Sequence, residues 1–310
     1  MVGSNEARSP QSKDREPHKT HDSAYKKTPL RRTRSAWVRL AIMFPLLLLV
    51  MVITAPLNEA ARANPLTALV VGVSTSLLAL GCYVVLVRWL EDRRPAELTP
   101  AEAAPGLGRG AVLGFGLFTA TILTIAFFGG YRVEGWGSFG GALTALGFMS
   151  CTAVTEELVF RGVLFRLMEV KLGTRGAIGW SGLIFGMVHL VNPSIGFWGV
   201  VAITVEAGFL LGVAYAATRS LWLPIGLHLA WNTSLAGLYG TGIGGTDVGT
   251  GSLLEGTVNG SALLTGGQSG PEASTVAVLL CVGATVAFLL LAKRRGHLYR
   301  RGQVPVAQQS

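Results

Sequence analysis

Residues Gly135 to Arg161 read GWGSFGGALTALGFMSCTAVTEELVFR, and this stretch decides the fold. Its first 21 residues, Gly135–Thr155, contain no Asp, Glu, Lys or Arg. Two glutamates and an arginine then follow inside continuing apolar sequence. About 20 apolar residues cross the hydrocarbon of a bilayer as a helix. The run is too long and too uniformly apolar for the alternating strands of a membrane barrel, so it predicts a transmembrane helix.

The same pattern repeats along the chain. Runs free of charged residues cover Leu40–Asn58, Ala63–Val87, Gly110–Tyr131, Gly176–Val205, Ser220–Thr246 and Ala273–Ala292. A further apolar segment, from about Phe197 to Thr218, is interrupted by Glu206. With a turn at Gly173 separating the fourth span from the fifth, the sequence predicts an all-α, polytopic membrane helix bundle of about eight transmembrane helices. Half of the 310 residues are hydrophobic, 14% are charged and the mean hydropathy is +0.49, whereas soluble domains are about 25% charged. The expected organisation is a disordered basic tail over 1–36, a transmembrane domain over 37–292 with a functional core at about 142–240, and a second tail over 293–310. Leu40–Asn58 is retained as a helix, because the run is longer than a signal-peptide core and no small-residue cleavage pattern follows it. Cys82, Cys151 and Cys281 stand singly inside spans and are read as small buried hydrophobes.

The net charge of +9 reflects topology. Ten of the 26 basic residues lie in Met1–Arg39, and no basic motif interleaved with aromatics supports nucleic-acid binding. If the N-terminus is cytoplasmic, 22 of the 26 fall on the cytoplasmic side and only Arg62 and Arg132 on the other. That is the positive-inside pattern, and it predicts a multi-pass cell-membrane protein with both termini cytoplasmic. The connection Tyr239–Ser274, rich in Gly, Ser and Thr and lacking Lys and Arg, is expected to be a flexible external loop or a partly re-entrant one. No soluble catalytic domain is visible, so any chemistry must use the membrane helices.

An ionisable group at mid-membrane costs about 2.5–3.5 kcal/mol even on the mildest scale, so each marks a candidate site. The candidates are Glu156, Glu157 and Arg161 on the fourth helix, His189 on the fifth, Glu206 on the sixth, and His228 with Asn232 on the seventh. Glu157 and Arg161, at i and i+4, share one face and predict a structural ion pair. Glu156 points about 100° away and is left for another task. Glu157 and His189 each lie 16 residues from Gly173, so an antiparallel hairpin places them at one depth. His228 and Asn232 also stand at i and i+4. To meet Glu156 they need the hairpin of helices four and five to project about 12 Å further into the cytoplasm. Glu206 is a candidate for lining the site or for a buried hydrogen-bonded acid.

Glu156-Glu157-x-x-x-Arg161, Phe185-x-x-x-His189 and His228-x-x-x-Asn232 resemble, in order, the three motifs of the CPBP intramembrane peptidases. That family includes the type II CAAX prenyl endopeptidases and proteins linked to bacteriocin immunity. The resemblance spans about 142–232, with Phe160-Arg161-Gly162 and Leu223-Pro224-Ile225-Gly226-Leu227 as fitting surroundings. It implies a glutamate-dependent endopeptidase acting on hydrophobic or lipid-anchored peptides near the cytoplasmic leaflet. Glu156 and His189 would activate water, and His228 and Asn232 would hold the oxyanion, with Phe185 lining the site. No cofactor is favoured. Zinc on Glu156, His189 and His228 is the alternative, although the His pair of H-E-x-x-H is missing.

Other readings use the same residues. The cavity could bind a membrane peptide or protein without cutting it, as in immunity, or Glu156, Glu206 and His189 could relay protons in a transporter. Gly179-Trp180-Ser181-Gly182 matches the G-x-S-G of rhomboid serine peptidases, but the His/Asn pair follows it in the chain where rhomboids place theirs earlier. Small residues for helix packing are its plainer reading. The expected partners are a membrane peptide or protein substrate and the lipid bilayer. Oligomeric state is not legible.

Overall fold

A computed structural model describes residues 1, 3, 35–241 and 251–303. Most of the predicted basic tail, the centre of the long connection and the last seven residues lie outside the described residues. Six helical runs are long and apolar enough to cross a membrane. They begin with α1 (Ala36–Ala61), α2 (Pro65–Glu91) and α3 (Ala103–Phe127). After strand β1 (Tyr131–Trp136) comes α4 (Phe139–Glu157), which widens into a π-helix over Leu158–Phe165 and continues as α5 (Arg166–Val188). This 53-residue run, Phe139–Val191, is broken at Gly173, whose φ of 75° and ψ of 171° suit a residue without a side chain. Counting both sides of that turn, and the helix that follows Leu221, restores eight helices.

The remaining elements are α6 (Phe197–Ile203), a second π-helix Thr204–Phe209, α7 (Leu210–Thr218), and α8 (Trp222–Thr233) with a third π-helix Ser234–Leu238. Strand β2 (Leu254–Val258), α9 (Ala262–Thr265) and α10 (Thr275–Arg294) complete the described chain. The helix starts follow local chemistry. Asn64, Ser138 and Ser274 cap α2, α4 and α10 by accepting backbone N–H bonds.

Burial separates the lipid-facing helices from the central ones. In α1 and α10 only 17% of the most apolar window is buried, against 72% in Phe139–Val191 and in Phe197–Thr218. Leu49, Val52, Leu77, Leu123 and Val286 point outward, as lipid contact requires. The centre is therefore the hairpin about Gly173 together with α6, α7 and α8.

Close backbone approach sets how α8 and α5 seat. A Cβ on Gly114 of α3 would stand 2.2 Å from the Leu227 carbonyl oxygen, and one on Gly226 would stand 2.3 Å from that of Leu107. Gly182 of α5 and Gly208 meet in the same way, the latter 2.6 Å from the Gly182 carbonyl. Small residues at helix contacts replace the hydrophobic drive that lipid removes. Ser181 is buried beside this contact and does not line the central cavity, so the serine-peptidase motif is packing.

At the Gly173 end a buried ionic network ties the hairpin to the rest. Arg166 makes a bidentate pair with Glu91, 2.9 and 2.7 Å, and Arg93 pairs with Glu91 and Glu97. Arg166 lies seven residues before Gly173, so about 10 Å of helix separates this network from the turn. Glu97 shows how such a network holds a charge. Burial alone would raise its carboxyl, but the Arg93 hydrogen bond, the positive charges of Arg166 and Arg93, and the Tyr83 hydroxyl outweigh this and hold it at about 2.

The segment after α10 is more than a trailing tail. Thr174 N–H donates to Tyr299 O (3.0 Å), Tyr299 N–H donates to Thr174 Oγ1 (2.9 Å), and Arg219 lies 4.6 Å over the Tyr299 ring. The connection after α8 also departs from a uniform flexible loop. Its β2 pairs antiparallel with β1, matching Tyr131 to Val258 and Trp136 to Leu254. Trp198 Nε1–H donates to Ala273 O at 2.8 Å and anchors the connection's last turn on α6.

Candidate active site

The first and third motifs, and Glu206, sit where the helix geometry changes. Among the described residues, the three π-helices begin just after Glu156 and Glu157, enclose Glu206, and begin two residues after Asn232. Such widened turns occur mostly as single-turn insertions in α-helices and are frequent at functional sites. Here the second lines one cavity of about 290 Å³ through Glu206 and Ala207, and the other two directly follow the α4 and α8 residues that line it. Helix α4 supplies Phe148, Met149, Thr152 and Glu156, and α5 supplies Phe185 with His189 just beyond it. The α6–α7 segment supplies Ile203, Glu206, Ala207 and Leu211, and α8 supplies Leu227, His228, Trp231 and Asn232. Asn192, Ile195 and Glu272 complete the lining.

The hairpin register brings the first two motifs together. The Phe160 and Phe185 rings meet edge to face at 4.7 Å, and the Arg161 guanidinium stacks 4.8 Å over Phe185. This places Glu156 and His189 on the same cavity. His189 Nδ1 lies 2.8 Å from the Phe185 carbonyl oxygen. A carbonyl only accepts, so Nδ1 carries the proton and Nε2 of the neutral ring presents a lone pair.

The two adjacent glutamates have different surroundings. Glu157 is fully buried, and its Oε1 accepts from Arg161 Nη1 at 2.8 Å, the ion pair that the i, i+4 spacing predicts. The same oxygen lies 3.0 Å from His228 Nδ1, a contact the sequence did not reveal. Glu157 thus orients the histidine of the third motif as well as closing its own helix. Arg161 reaches on through Nη2 to the carbonyls of Ala207 and Gly208, linking α4 to the Glu206 segment. Glu156 lies on the cavity wall, with its Oε2 3.8 Å from His228 Nε2. Glu157, His228 and Glu156 therefore form a sequence of contacts from the buried ion pair to the cavity.

The other candidates resolve as follows. Phe185, Glu206 and Asn232 all line the cavity. Glu206 is buried, and its Oε1 has no hydrogen-bond partner. Glu156, His189 and His228 share the cavity, but among the described residues no three His, Cys, Asp or Glu side chains converge closely enough to hold a metal ion.

The lining runs from Glu156 toward the end of the bundle opposite Gly173, where Asn192, Ile195 and Glu272 lie. Glu272 also comes from the connection read as a loop, where no periodicity could mark it. Thr152, one turn before Glu156, and Trp231, one turn after His228, could have been found by helical spacing alone.

Fold and site together define a polytopic integral membrane protein with a cavity between its central helices, whose mainly apolar wall carries Glu156, His189, Glu206, His228 and Asn232. Residues 137–234 match the family model described as Type II CAAX prenyl endopeptidase Rce1-like, and all three motifs lie inside that segment. The resemblance read from the motifs is thus shown for this part of the chain. A Bacillus subtilis (strain 168) protein named "Putative membrane peptidase YdiL" is 31% identical over 80 residues, which cover 26% of this chain. The match spans 30% of that relative's length. No solved structure matches the chain.

Proposed function

We propose that this chain is an intramembrane endopeptidase that hydrolyses a hydrophobic or lipid-anchored peptide within the central cavity. The observation that carries the reading is the convergence of Glu156, His189, His228 and Asn232, from three separate helices, on one cavity. The match to a CAAX endopeptidase family over 137–234 supports the same reaction class. Both termini are assigned to the cytoplasm on the distribution of Lys and Arg.

In the proposed reaction, water sits between Glu156 and the bare Nε2 of His189. Glu156 accepts a proton as the water oxygen attacks the peptide carbonyl carbon. The carbonyl oxygen becomes an oxyanion facing Asn232 and His228. His228 Nδ1 already donates to Glu157, so it can donate from Nε2 only as the imidazolium, whose charge then faces the Glu157 carboxylate. The C–N bond breaks as the proton held by Glu156 passes to the leaving amine. No step is routed through a metal.

The test is cleavage of membrane-embedded peptides by the purified protein, with products identified by mass spectrometry, against Glu156→Gln. Products present with wild type and absent with the variant are expected. Equal cleavage by both would sink the proposal. A chelator titration in the same assay distinguishes glutamate chemistry from zinc chemistry, and full activity at saturating chelator is expected. A Glu156→Gln protein that keeps its cellular phenotype would favour a binding role instead.

A further inference from the structure

The cavity lies closer to one end of the bundle than to the other. His189 stands 16 residues after Gly173, about 24 Å along α5, but only eight residues before Phe197, where α6 begins. Between the cavity and the Gly173 turn the described helices are packed solid. Phe165, Leu167, Tyr215, Leu221 and Ile225 are each no more than 2% exposed, and the Phe165 and Tyr215 rings meet edge to face at 5.3 Å. Arg161 closes the same side, because its side chain is 1% exposed and joins Glu157 to the carbonyls of Ala207 and Gly208. A layer at interior packing density passes neither water nor a peptide unless a helix moves.

Toward the other end exposure returns. Phe148, Thr152, Glu156, His189, Asn192 and Asn232 of the lining are all partly exposed. Leu190, Val191 and Phe197, which interleave with lining residues along the α5–α6 connection, are 58%, 88% and 81% exposed. Apolar side chains grouped in this way mark a surface met by lipid or by an apolar partner. Trp136, Phe139 and Trp198 are also exposed at this end, as aromatic residues are at a membrane–water interface. The two ends differ in charge as well. Arg93, Arg94, Arg175, Arg219, Arg294 and Arg295 stand at helix ends on the Gly173 side. Among the described residues, Arg62 and Arg132 are the only Lys or Arg at the other end, and Arg62 pairs with Glu59 at 2.7 Å. The positive-inside pattern therefore puts the solid half toward the cytoplasm and the open half away from it.

We infer that the cavity is entered from the non-cytoplasmic side, and that its substrate is an apolar peptide whose cut bond lies in the outer half of the bilayer. This rests on the peptidase reading and fixes which leaflet supplies the substrate. It is the leaflet opposite to the one that the motif resemblance implies. A membrane peptide whose cleaved end faces outward reaches Glu156 along the exposed apolar rim. A peptide held by a lipid at the cytoplasmic face would have to pass the solid half.

Cysteine accessibility in the full-length chain tests it. Thr152→Cys reports from the cavity wall, Ser194→Cys from the α5–α6 connection at its mouth, and Arg175→Cys from the Gly173 end. Wild type, whose Cys82, Cys151 and Cys281 are buried or half-buried, sets the background. A small, charged, membrane-impermeant thiol reagent is added either to intact cells or to inside-out vesicles. Thr152→Cys and Ser194→Cys should react about tenfold or more faster in intact cells, and Arg175→Cys by the same factor faster in the vesicles, because the charged reagent does not cross lipid. Faster reaction of Thr152→Cys in the vesicles, or its reaction from neither side, overturns the inference. So does reaction of Ser194→Cys from the inside with Arg175→Cys from the outside. In a second arm, an apolar peptide with a hydrophilic polymer on one end, which holds that end on the side of addition, is given to each preparation carrying wild-type protein. Cleavage should occur in intact cells. Cleavage confined to the inside-out vesicles removes the inference and keeps the peptidase reading. Outward labelling of Thr152→Cys with no cleavage of any peptide leaves the outward mouth standing and removes the peptidase reading.

Discussion

The two adjacent glutamates should separate stability from chemistry. Glu157 is fully buried and holds two partners on one oxygen, Arg161 at 2.8 Å and His228 at 3.0 Å. Glu157→Gln keeps the shape but removes the negative charge opposite a guanidinium that is itself only 1% exposed. Removing one partner of such a pair leaves an uncompensated buried charge and costs about 3–5 kcal/mol. The unfolding midpoint should then fall by roughly 10 °C. Glu156 is 12% exposed at its side chain, and its nearest ionic contact is His228 at 3.8 Å. Glu156→Gln should change stability by no more than about 1 kcal/mol while abolishing cleavage. Thermal unfolding in detergent, followed by tryptophan fluorescence, gives the first quantity, and the peptide assay gives the second. The double variant Glu157→Leu with Arg161→Met should recover most of the midpoint without recovering activity, because the apolar pair no longer orients His228. A Glu157→Gln protein that unfolds with wild type would refute the buried-pair argument. So would a Glu156→Gln protein destabilised equally.

Three further outcomes are expected. Asn232→Ala should lower kcat by about 10²–10³-fold with little change in KM, since an oxyanion donor acts mainly in the transition state; a change confined to KM would reassign Asn232 to substrate binding. Gly114→Ala puts a methyl 2.2 Å from the Leu227 carbonyl oxygen, so α3 and α8 must separate at a cost of about 1–3 kcal/mol. Because α8 carries His228 and Asn232, cleavage should fall more steeply than the unfolding midpoint, whereas Gly108→Ala, where no atom lies within 4 Å, should do neither. Acid should weaken the network at the Gly173 end through Glu97, whose carboxyl is lowered from 4.5 to about 2. A depressed pKa gives stability that is fully present above 4.5 and lost as pH falls toward 2. The loss is roughly 3 kcal/mol, and Glu97→Gln should show a flatter midpoint over that window.

Much of this was legible along the chain because the signals are local. The apolar runs demand helices that satisfy their own backbone in lipid, and Gly173 supplies the turn that makes one long run into two helices. The i, i+4 spacing gave the Glu157–Arg161 pair, because neighbours on a helix face meet whatever the rest of the protein does. Equal spacing from Gly173 put the first two motifs at one depth. The buried network of Glu91, Arg93, Glu97 and Arg166 was not legible: its members lie on α2, the following turn and α5, and read singly as loop or helix-end charges.

The sequence by itself determined the helices, their order and the polar side chains that lipid cannot accommodate alone. Tertiary structure decided which of those side chains meet. Glu157 turned out to hold His228 as well as Arg161, because the rotation of α8 is set by glycines packed against α3 and not by anything within α8's own periodicity. Glu272 reached the cavity because a tryptophan on α6 fixes the turn before α10. Spacing along one helix fixes direction within that helix. Contact between helices depends on their relative rotation and depth, and those are set by backbone approach across the whole bundle.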